Sequence, residues 1–92
     1  MSSPDADAAL LEELRLRSRL NALVHERAEA LREAERLSVR GQMAGADDSL
    51  GDVAARWRTV AEKVAADIEE QRSALRTQEA VVARLRAPEE PA

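Results

Sequence analysis

The chain contains no cysteine, no tyrosine and no phenylalanine, and only one tryptophan and one histidine. Without cysteine there is no disulfide staple, and a single histidine cannot build a zinc site. No metal ligand is assigned, and no cofactor is expected. The near absence of aromatics limits the core as well. Hydrophobic residues make up 45% of the sequence, but 19 of them are alanine, so bulky side chains are scarce. Ninety-two residues suffice for one small domain, and such a chain with a thin core usually needs a partner to complete it. There is no apolar run long enough to cross a membrane and no cationic start followed by an apolar stretch. The expectation is a soluble, intracellular chain that does not engage the membrane.

Charge is dense but balanced, with 14 basic and 18 acidic residues and a net charge of -4. Residues 1–46 carry 7 basic and 8 acidic groups, and residues 47–92 carry 7 and 10. Neither half offers the cationic stripe that phosphate backbones require, so no direct nucleic-acid binding is expected.

Glycine and proline are also few, three of each, and their positions divide the sequence. Ser3 is a candidate cap, Pro4 suits a first helical turn, and Asp5 and Asp7 face the positive end of a helix dipole. From Ala6 to Arg40 there is neither glycine nor proline, and Ala, Leu, Glu and Arg dominate. Leu16, Leu20, Leu23, Val24, Leu31, Ala34 and Leu37 gather on one side of this helix. Gly41, Gly45 and Gly51 bracket the lapse in helical pattern. Asp47, Asp48 and Ser49 are candidate caps for a second helix, with Ser49 and Asp52 resembling a capping box. Arg84 and Arg86 suit the negative end of that helix, and Pro88 stops it. The expected organisation is a flexible start (1–3), a helix (4–42), a turn (43–48), a helix (49–87) and a disordered tail (88–92).

The second helix reads Leu50, Val53, Trp57, Val60, Val64, Ile68, Gln71, Leu75, Gln78, Val82 and Leu85, a coiled-coil seam with a stutter at Val60, Val64 and Ile68. Two helices of matched length and a short connection predict an all-α antiparallel hairpin. Its seam is assigned to Leu20, Leu23, Arg27, Leu31 and Leu37 on one helix and Val53, Trp57, Val60, Val64, Ile68 and Leu75 on the other. A turn near residue 46 makes residues whose numbers total about 93 face each other, which places Arg27 near Asp67 and predicts a bridge. Snorkelling of Arg27 into water is the alternative. Trp57 falls opposite Arg36, Leu37 and Arg40, where it packs the core, with Arg36 or Arg40 free to stack on its ring. Anchoring a partner is its other possible role. Gln71 and Gln78 either set register or simply sit at a wet part of the seam.

Apolar residues beyond a two-helix seam call for a partner. Leu10, Leu11 and Leu14 widen the apolar side of the first helix, and Val81, Val82 and Leu85 widen the second. The hairpin brings both groups to its open end. A second copy closing a four-helix bundle, or helices of another subunit, would dock there.

His25 lies on the polar side with Glu29 one turn on, and no Ser, Thr or Cys is placed to form a nucleophile pair. No glycine-rich phosphate loop is present. No catalytic residue is assigned and no enzymatic activity is expected. Leu14-Arg15 followed by Leu23-Val24-His25-Glu26-Arg27 resembles the first helix of the all-helical chorismate mutases over about 25 residues. That resemblance implies arginines binding a dicarboxylate. The two arginines are closer together than in that family, its Ile-Asp pattern is missing and no lysine follows on the first helix, although Gln71 loosely matches its late glutamine. Leu50 to Ile68, with Trp57-Arg58 at its centre, is similar to a segment of the coiled-coil subunit of meiotic recombinase-accessory complexes. That similarity implies an accessory role in DNA recombination or repair, but the globular part of that family does not follow here. The residues themselves point to a non-catalytic coiled-coil module that self-associates or serves as a small subunit of a larger complex.

Overall fold

A computed structural model describes residues 3–43 and 48–87. It contains two long helices, α1 (Pro4–Met43) and α2 (Asp48–Arg86), packed along their length as an antiparallel hairpin. The molecule measures 74 × 19 × 13 Å with a radius of gyration of 20.8 Å. A compact domain of this length would have a radius of about 12 Å.

Helix α1 starts where a cap is available. The Ser3 hydroxyl accepts a hydrogen bond from the Ala6 amide at 3.0 Å, and the Ser3 carbonyl accepts one from Asp7 at 3.0 Å. Ser3 is therefore tied down, whereas the rest of the expected flexible start lies outside the described residues. Asp5 and Asp7 in the first turn, and Arg40 in the last, complement the helix dipole. The same holds for Arg84 and Arg86 at the end of α2. Ala87 is a bend, as expected for a residue that precedes proline in the sequence. The tail assigned to 88–92 and residues 44–47 of the expected turn lie outside the described residues.

Two of the three glycines do not mark the turn. Gly41 and Gly51 are helical, and the helices run from Pro4 to Met43 and from Asp48 to Arg86 instead of over 4–42 and 49–87. Ser49 is the second residue of α2. Each helical glycine costs about 0.5–1 kcal/mol relative to alanine. At Gly41 the cost has a counterpart, because an added Cβ would stand 3.4 Å from the Leu50 Cβ. Gly41 and Leu50 therefore face each other across the helix pair.

The seam follows an unbroken three-four rhythm. On α1 it passes through Ala6, Ala9, Leu16, Leu20, Leu23, Ala30, Ala34 and Leu37, all buried or half-buried. On α2 it passes through Leu50, Ala54, Ala61, Val64, Ile68, Leu75 and Val82, likewise. The expected stutter is absent. Ala54 and Ala61 are 0% and 3% exposed, while Val53 and Val60, each one residue earlier, are 40% and 39% exposed. Small side chains occupy the line of closest approach, and the branched valines stand beside it. On α1, Leu31 stands outside the seam for the same reason, next to buried Ala30. Gly41 facing Leu50, and Leu23 packed with Ile68, set a register in which facing residues total about 91, two less than expected. Leu23, Val64 and Ile68 form a buried apolar cluster, with Leu20 packed against it. Among the described residues no polar or charged side chain is buried.

Candidate interaction surfaces

Two glutamines interrupt the apolar seam of α2, and both reach across it. The Gln71 side-chain amide donates to the Leu16 carbonyl at 3.1 Å, and that of Gln78 donates to the Ala9 carbonyl at 2.9 Å. Donors and acceptors are each one heptad apart. A slip of one helix past the other would break both bonds together and leave the amides facing an apolar seam.

The seam divides the remaining surface into two faces. Residues that follow a seam position on each helix share the first, here called the front. The Arg17–Glu79 ion pair at 3.4 Å and the hydrogen bond from Arg58 to the Ser38 hydroxyl at 2.6 Å cross it. Residues that precede a seam position share the back. There Trp57 and Val60 of α2 line a shallow pocket with Glu26, Ala30 and Glu33 of α1.

The six residues assigned to a partner site at the open end do not form one patch. Val82 is only 6% exposed because it belongs to the hairpin's own seam, so it is not available to a partner. Leu10, half-buried, and Leu14, 57% exposed, belong to the front of α1. Val81, also half-buried, precedes the seam and belongs to the back of α2. Leu11, 68% exposed, points away from the hairpin, and Leu85 is an exposed end of the seam. On the front of α1, Leu10 and Leu14 are followed by Arg17 and then by Val24 and Leu31, which line front grooves with Ala65. On the back of α2, Val53 and Val60 flank the tipped Trp57, and exposed Asp67 separates this stretch from Val81. These rows become readable once the flanks of a strict heptad are separated from its seam. Neither the front row nor the back row was separated from the seam by hydrophobic size alone.

Of the residues assigned to the seam, Leu23, Leu37, Val64, Ile68 and Leu75 are buried and Leu20 is half-buried. Trp57 occupies a seam level but is 38% exposed, tipped toward the back pocket rather than toward Arg36 and Arg40. Arg27 also occupies a seam level and is exposed, beside Ala65, Ile68 and Arg72. The bridge to Asp67 does not form. In the observed register Asp67 precedes a seam residue and belongs to the back, whereas Arg27 opens to the front.

Most ion pairs run along one helix: Arg15 with Glu12, Arg32 with Glu29, Arg36 with Glu33, and Arg72 with Glu69. Such exposed pairs contribute little to stability. The hydrogen bond from Arg36 holds the Glu33 carboxyl below the usual carboxylate range, and Glu33 in turn raises the Arg36 guanidinium. His25 stands 3.8 Å from Glu29 on the exposed surface. Among the described residues no group of three or more acidic or histidine side chains converges to hold a metal ion, and no helix is long and apolar enough to cross a membrane. No family model, curated protein or solved structure matches the chain.

Proposed function

We propose that the chain is a non-catalytic, all-helical interaction module whose hairpin is completed by packing against another chain. The observation that carries this reading is the pair of apolar rows left unpartnered on opposite faces of the hairpin, Leu14, Val24 and Leu31 on one and Val53, Trp57 and Val60 on the other, each 38% to 57% exposed. The accessible surface points the same way. It amounts to 7071 Å², against about 5300 Å² for a compact monomer of the same mass. A thin seam, rich in alanine, supplies little burial to offset the chain entropy of two long helices, and covering the rows would add what is missing.

The test combines light scattering with thermal melting by circular dichroism. A melting point that rises with protein concentration, or with an added partner chain, supports the module. Replacing Val24 and Val60 with asparagine should then remove that dependence while leaving the chain helical. A monomer that melts cooperatively at a high, concentration-independent temperature, indifferent to both substitutions, would refute it.

A further inference from the structure

We draw no further inference here: the strongest candidate, the shallow back pocket where Trp57 and Val60 of α2 lie against Glu26, Glu29 and Glu33 of α1, has two of its three carboxylates already held by Arg32 and Arg36 of their own helix, and nothing in the structure shows what covers its apolar floor.

Discussion

The half of the hairpin next to the turn and the half beyond it are held together differently. Beside the turn the seam is mostly small: Ala30, Ala34, Ala54 and Ala61, with Gly41 facing Leu50. Farther out it holds Leu20, Leu23, Ile68 and Leu75, together with the two glutamine bonds. The difference follows from the distance to the connection. Near the turn the helices are already neighbours, because closing a short loop costs little entropy, and modest contacts suffice. Away from it the pairing must be held by larger apolar side chains and fixed by directional bonds. At the open end the seam returns to Ala6 and Ala9 against Val82, and its last level, Leu85, is 44% exposed.

That contrast can be broken most forcefully in the outer half. Ile68→Ala removes a member of the buried cluster with Leu23 and Val64 and is expected to cost about 2–5 kcal/mol, seen as a large drop in the denaturation midpoint. Ala61→Leu tests the opposite property of the inner half. Position 61 is 3% exposed, so the added bulk is expected to cost about 1–3 kcal/mol by overpacking, read from the same denaturation curves. Equal tolerance of leucine there and at exposed Ala66 would show that the inner seam is not tight.

The glutamines give a smaller but more specific effect. Gln71→Ala and Gln78→Ala are each expected to cost about 1 kcal/mol. Replacing both with leucine should preserve or raise stability yet loosen the register. Spin labels at Ser18 and Ser73, which share a level, would report one distance in the native chain and a broadened distribution in the double leucine variant. Glycine substitutions provide the finest comparison. Gly51→Ala meets nothing within 4 Å and should stabilise by about 0.5–1 kcal/mol. Gly41→Ala meets Leu50 at 3.4 Å and should gain less, as melting points would show.

The two helices and their antiparallel pairing were legible because long glycine-free stretches, caps and an amphipathic pattern agree. The exact seam was less so. Val53 and Val60 are bulkier than Ala54 and Ala61, and weighting residues by size moved the line off an otherwise unbroken three-four repeat. That one-residue displacement created the apparent stutter and drew Leu31 into the seam. A turn centred near residue 46 placed Arg27 and Asp67 together, but the observed register is shifted by two and the two open to opposite faces. The partner surface failed for another reason, since Val82 belongs to the seam and is buried by the hairpin itself, which leaves none of it for a partner. Gly41 and Gly51 misled differently. Their low helix propensity marks a break when read alone, but the long helical stretches on either side outweigh it.

The elongated outline, 74 Å by 19 Å by 13 Å, has a hydrodynamic consequence. A rod of these proportions drags more solvent and tumbles more slowly about its short axes than a sphere of equal mass. A single copy will therefore elute from a sizing column ahead of compact standards of its mass, imitating a small oligomer, and backbone amides aligned along the rod will relax with the slow tumbling of its ends.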